Sequence, residues 1–114
     1  KRRWSSRMKE HFVIRGKRDF IVNKVEDEYI GYDRLDLEYY SFDEIGAEIL
    51  YCISKNFSLD KIVELLQQDY EVSANDCKQA IISFLEETPI LHIIYANLVK
   101  SDLYLHLKPF REEK

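Results

Sequence analysis

The side chains best equipped for chemistry in this 114-residue chain are two cysteines, three histidines and two adjacent pairs of glutamates. Cys52 and Cys77 stand 25 residues apart, whereas a sequence-local zinc or redox pair is spaced by only a few residues. His11, His92 and His106 are dispersed, so no zinc-ligand spacing arises around the cysteines. Each cysteine therefore reads as a small buried apolar residue, and nothing in the sequence supports a disulfide between them. The members of Glu86-Glu87 and Glu112-Glu113 are neighbours in the chain, so their side chains point in different directions and cannot readily share a substrate. The sequence contains no recognisable Ser-His-Asp or Cys-His grouping, no phosphate-cradling glycine loop and no three-cysteine cluster for an iron–sulfur centre. These absences point to a domain that recognises rather than catalyses.

Recognition depends on elements that present backbone and side chains. Phe20 to Val25 is a β-branched run ended by the acidic turn Glu26-Asp27-Glu28, and Tyr29 to Tyr32 follows as a second strand. Asp33-Arg34-Leu35-Asp36 supplies a turn, and Leu37 to Phe42 makes a third strand of an antiparallel meander. His11 to Arg15 either extends that meander or precedes it as a separate strand. Asp43 caps a helix that reaches about Ser54, in which Ile45, Ile49, Leu50 and Ile53 keep helical spacing and Gly46-Ala47 leave one face small enough for close approach by a neighbour. Ser58 caps a second helix with the stripe Leu59, Ile62, Val63, Leu65 and Leu66. Ser73 caps a third over 73–88, with Asp76 favourably placed in its first turn and an inward set of Cys77, Ala80, Ile81, Phe84 and Leu85. Pro89 limits its extension, and the β-branched Ile90 to Tyr95 suggests a closing strand. The expected fold class is α+β and winged helix-turn-helix-like, an N-terminal three-stranded antiparallel β-sheet followed by three α-helices.

Three stretches in order, Tyr39-Tyr40-Ser41-Phe42-Asp43-Glu44-Ile45-Gly46-Ala47-Glu48-Ile49-Leu50, then Ser58-Leu59-Asp60-Lys61-Ile62-Val63-Glu64-Leu65-Leu66, then Tyr70-Glu71-Val72 with the helix carrying Phe84-Leu85, carry a resemblance. Over roughly residues 19–93 the chain resembles the PqqD-like family, the small protein D of pyrroloquinoline-quinone synthesis and its relatives. These are recognition domains for ribosomally made precursor peptides. The resemblance implies that the leader segment of a precursor adds as a β-strand to the third strand, in the groove between it and the third helix. Leu37, Glu38, Tyr39, Tyr40, Ser41 and Phe42 would offer backbone groups, and Lys78, Ile81, Ile82 and Leu85 would belong to the other wall. Alternation turns Tyr40 and Phe42 inward and leaves Tyr39 freer, unless a bulge inverts it. On the helix, Ile81 and Leu85 also suit the core, while Lys78 and Ile82 lie off the stripe and are better placed for contact. Replacing Tyr40 by proline tests this edge, provided that its N–H faces outward.

Charge weighs against the main rival for such a fold. Residues 1–18 carry eight basic residues against Glu10, a balance of +7, so the rest of the chain holds −11 of the formal net −4. Within residues 19–92, five basic residues face seventeen acidic ones. A DNA-reading third helix would present basic and amide side chains outward, yet residues 74–88 hold Lys78 against Asp76, Glu86 and Glu87. Only the basic arm favours nucleic acid, and the alternatives are a winged-helix DNA module led by that arm or a subunit-docking domain. The expected organisation is a basic arm over 1–18, the recognition domain over 19–93, and a tail or linker to an absent domain over 94–114. Family members of this kind often precede a radical S-adenosylmethionine enzyme, so the modifying enzyme acts in cis or in trans. Any iron–sulfur cluster and S-adenosylmethionine would belong to that enzyme, with no cofactor in this chain. The longest apolar run falls short of the roughly eighteen residues of a membrane span. No membrane partner is expected, the cytoplasm is the expected compartment, and an edge-paired homodimer is compatible with an exposed strand.

Overall fold

Period-two burial builds the sheet, and the third or fourth residue builds each helix. The computed structural model describes residues 10–16, 18–35 and 38–107. Four strands, β1 (His11–Ile14), β2 (Phe20–Val25), β3 (Glu28–Asp33) and β4 (Tyr39–Phe42), form one antiparallel sheet in chain order. Of the two readings of residues 11–15, extension of the meander is what forms. Phe12 and Ile14 are buried while His11 is exposed, and Phe12 pairs opposite Val22. The expected three strands are therefore four, because this short segment alternates well enough to add to the sheet. β4 starts at Tyr39, leaving Glu38 ahead of the strand. The expected start at Leu37 lies outside the described residues. The turn before β4 is anchored by Asp33, only 1 % exposed, whose carboxylate accepts from the Leu35 N–H at 2.8 Å and pairs with the Arg18 guanidinium.

Helices α1 (Glu44–Ser54), α2 (Leu59–Asp69) and α3 (Ala74–Glu87) start where their caps predict. The side chains of Asp43, Ser58 and Ser73 accept from the backbone N–H groups of Gly46, Lys61 and Asp76 at 2.8, 3.2 and 3.1 Å, each satisfying a donor that the first turn leaves open. The expected closing strand over residues 90–95 is instead part of a fourth helix, α4 (Leu91–Lys100), followed by a 3₁₀ turn at Leu103–His106. β-branching misleads here. Ile90, Ile93, Ile94, Asn97 and Leu98 recur at three- and four-residue spacing and are all buried, so burial of a helical stripe outweighs local strand propensity. Pro89 stops α3 without hindering α4, since a proline just ahead of a helix sacrifices no helical hydrogen bond. The α+β class holds, with four strands and four α-helices among the described residues. Among the described residues, no helix is long and apolar enough to cross a membrane.

One core joins these parts, drawing on Ile14, Phe20 and Val22 of the sheet, Leu50 and Ile53 of α1, Ile62 of α2, Ile81 and Leu85 of α3, and Ile94 and Leu98 of α4. Two glycines permit its closest contacts. A Cβ on Gly31 would lie 2.5 Å from the Phe20 ring, and one on Gly46 would lie 2.9 Å from the ring of Phe84. The small face read from Gly46-Ala47 is thus the face against which α3 closes.

The register also decides which backbone groups look outward. The Lys24 N–H donates to the Glu10 carbonyl at 2.7 Å, so Lys24 turns its backbone groups toward β1. Successive residues of a regular antiparallel ladder turn theirs to opposite sides. Followed through the unbroken registers, Asn23 and Ile21 bond to Ile30 and Tyr32, while Tyr29 and Gly31 bond to Phe42 and Tyr40. Tyr39 and Ser41 are left with N–H and C=O on the outer edge of β4, and His11 and Val13 on the outer edge of β1. The N–H of Tyr40 faces β3, so the informative proline substitution belongs at Ser41.

Candidate peptide-binding groove

β4 presents two different faces beside its outer edge. Tyr39 is 68 % exposed and stacks with Tyr32 at a ring separation of 5.2 Å. Ser41 is exposed, and its hydroxyl donates to Glu28 Oε1 at 2.8 Å. On the other face Tyr40 is half-buried 6.2 Å from Phe20, and the buried Phe42 meets both Phe20 and Phe84 edge-on at 6.2 Å. The inward and outward assignments expected from alternation match this arrangement without a bulge. Glu38 is exposed and accepts from the Tyr40 hydroxyl at 3.3 Å; Leu37 lies outside the described residues.

Where β4 runs into α1, the chain opens onto a cavity of 290 Å³. Its rim includes Asp43 and Ile45, its floor Ile49 and Leu66, and its far wall the α3 residues Cys77, Ala80, Ile81 and Phe84. These four recur at three- and four-residue intervals, so they share one face of the helix. Phe84 links the two walls by touching Phe42 and crowding Gly46. None of Tyr39 to Phe42 lines this space, which lies between α1 and α3 over Leu66 of α2 and meets the strand only at Asp43, the residue after Phe42.

The sequence-expected site residues divide accordingly. Ile81 lines the cavity from the core, fully buried, and Leu85 lies wholly within the core. Lys78 and Ile82 are half-buried but are not among the residues around the cavity, and Ile82 packs against the core. Ala80, read as inward, is exposed at the cavity's edge. Ile45, absent from the expected set, also lines the cavity. Its signal was an isoleucine in the first turn of α1, indistinguishable by spacing from the core set, yet it is 46 % exposed. Tyr70 and Val72 also reach the cavity, and the Tyr70 hydroxyl donates to the fully buried Glu48 at 3.3 Å.

Reactive chemistry is muted in this groove. Burial pushes the Cys77 thiol above its ordinary range, which keeps it protonated and weakly nucleophilic at neutral pH. Cys52 is fully buried, and both cysteines are free thiols. Among the described residues, no group of three His, Cys, Asp or Glu side chains is placed to hold a metal ion. Asp43 is the acidic residue among those lining the cavity, and Glu28, Glu38 and Glu44 lie on or near β4 outside it.

The family model of coenzyme PQQ synthesis protein D matches residues 28–88, which is more than half of the chain and runs from β3 through the end of α3. The chain belongs to the PqqD family. That family is a non-catalytic accessory family whose known role is peptide recognition, in partnership with a peptide and an enzyme. No curated protein and no solved structure matches the chain. The matched PqqD span contains β4, the cavity and α3, while β1, β2 and α4 lie outside it.

Proposed function

We propose that the chain binds the leader segment of a ribosomally synthesised precursor peptide as a fifth strand alongside β4, in the groove between β4 and α3, and delivers the core segment to a modifying enzyme in cis or in trans. The observation that carries this reading is the coincidence of outward backbone groups at Tyr39 and Ser41 with an apolar cavity at the end of the same strand. Main-chain hydrogen bonds supply affinity at the edge, and the cavity selects one apolar leader side chain. The acidic residues near β4 favour a leader with basic residues near that anchor and hasten its approach. Binding the leader makes the meeting of core and enzyme effectively intramolecular, with a gain set by the length of the intervening linker.

The test is binding of a labelled leader, taken from a short reading frame beside the gene, to the parent chain and to Ser41→Pro. Loss of the outward Ser41 N–H is expected to weaken binding by about fivefold to tenfold, the worth of one hydrogen bond, with the fold intact. Tyr40→Pro removes a donor from the β3 ladder and is expected to lower thermal stability instead. Equal leader affinity in the parent and a folded Ser41→Pro variant would remove β4 as the docking edge.

A further inference from the structure

The opposite edge of the sheet has its own groove, with different chemistry. A cleft of 430 Å³ runs along β1 and is walled by the end of α1 and by α4. Arg15 just after β1, Lys55 just after α1 and Lys100 at the end of α4 all line it, and among the described residues no aspartate or glutamate does. This is a concentration of positive charge in a stretch, residues 15–100, where seventeen acidic residues face nine basic ones. Lys55 sits 5.5 Å over the Tyr51 ring, and Arg15 reaches Asp19 at 3.7 Å across an exposed contact.

A simpler role accounts for part of this. Lys55 caps the end of α1 and Lys100 occupies the last turn of α4, where a cation offsets the negative end of a helix dipole. Dipole compensation does not require the two helix ends to meet beside a strand edge, nor does it explain the third cation. The backbone adds a second, independent indication. His11 and Val13 turn their N–H and C=O outward along this cleft, and the next outward carbonyl, that of Arg15, already accepts from the Asn97 side-chain amide at 2.9 Å. The α4 wall therefore takes the place of an added strand only at Arg15, where it ends the open edge, and leaves His11 and Val13 available.

We infer that the β1 edge is a second docking groove, which takes a short, extended, acidic segment of a partner protein. Its main chain pairs with His11 and Val13, and its carboxylates meet Arg15, Lys55 and Lys100. β1, α4 and most of the cleft lie outside the family-matched residues 28–88, so the inference is independent of leader binding at β4.

The experiment uses the full chain, isotopically labelled, and a short synthetic peptide alternating glutamate and threonine, with a lysine-for-glutamate version as control. Shifts confined to residues 11–15, 54–56 and 97–100, together with slowed amide exchange at His11 or Val13, are expected for the acidic peptide alone. K55E/K100E, at two exposed positions, is expected to weaken binding by about tenfold with its circular dichroism unchanged. Shifts confined to residues 1–9 would assign acid capture to the basic arm and overturn the proposal. Displacement of the peptide by equimolar inorganic phosphate would overturn it in favour of a small-anion site. Concentration-dependent dimerisation abolished by K55E/K100E would overturn it in favour of a second copy of the chain. Absence of any shift would refute it.

Discussion

The two outer edges of this sheet offer the same backbone chemistry in opposite surroundings. At β4, Tyr39 and Ser41 turn their backbone groups outward on a strand that leads into an apolar cavity at Asp43, with Glu28, Glu38 and Glu44 nearby. At β1, His11 and Val13 present theirs beside a polar cleft bordered by Arg15, Lys55 and Lys100. Main-chain hydrogen bonds cannot distinguish one extended chain from another, so selectivity rests on the bordering side chains. An apolar anchor is read by shape and desolvation, with modest help from charge. An acidic segment is read mainly by charge, and its binding weakens with salt. On the two proposals together, one small domain would hold two extended segments without confusing them.

The sharpest way to separate the edges is to block one by bulk. Ala80 is exposed at the lip of the cavity, so Ala80→Arg should fill the groove without disturbing the core. Leader affinity is expected to fall by about thirtyfold, the scale of a lost anchor contact, while the acidic peptide binds as before; fluorescence anisotropy with both ligands reads the difference. Val13→Pro removes one outward donor from β1 and is expected to weaken the acidic peptide by about fivefold, leaving leader affinity unchanged in the same assay. Glu38→Lys reverses one acidic charge near β4 and removes the acceptor of the Tyr40 hydroxyl. Stopped-flow association of a basic leader is expected to slow by about twofold at low salt, with the difference vanishing at high salt. A subtler probe is Cys77, which lines the cavity and has a raised thiol pKa. Its alkylation should be slower than that of a free thiol at neutral pH and should accelerate as rising pH increases the thiolate fraction. Bound leader should slow it further, and the acidic peptide should not; mass spectrometry of the modified peptide distinguishes them.

The sequence revealed the groove near β4 more fully than the cleft near β1. Three helix caps, the alternation of Tyr39 to Phe42 and the small face at Gly46 all depend on neighbours close in the chain, where spacing is informative. Residues 90–95 misled because β-branched residues suit both a strand and a buried helix stripe, and only packing against α1 and the sheet chooses between them. Lys78 and Ile82 illustrate a finer limit. Position along a helix says which residues leave the core stripe, but the cavity lies on the Cys77–Phe84 side because Gly46 lets Phe84 approach α1 there. The direction of the Tyr40 N–H was equally hidden, since it depends on a parity transmitted across three strand pairs from Lys24. The basic cleft assembles residues 11–15, 51–56 and 97–100, a convergence that no local pattern announces.

A sheet whose two open edges carry unlike charge has an inherent hazard. The acidic edge of one copy suits the basic edge of the next, and a head-to-tail contact of that kind does not close into a ring unless its rotation permits, so it can grow into a filament. The bond from Asn97 to the Arg15 carbonyl limits that growth by leaving β1 only a short stretch of pairable backbone. Were copies to join in this way, Asn97 would be a chain stopper for the folded protein itself, and its worth would show less in stability than in how long concentrated solutions remain clear.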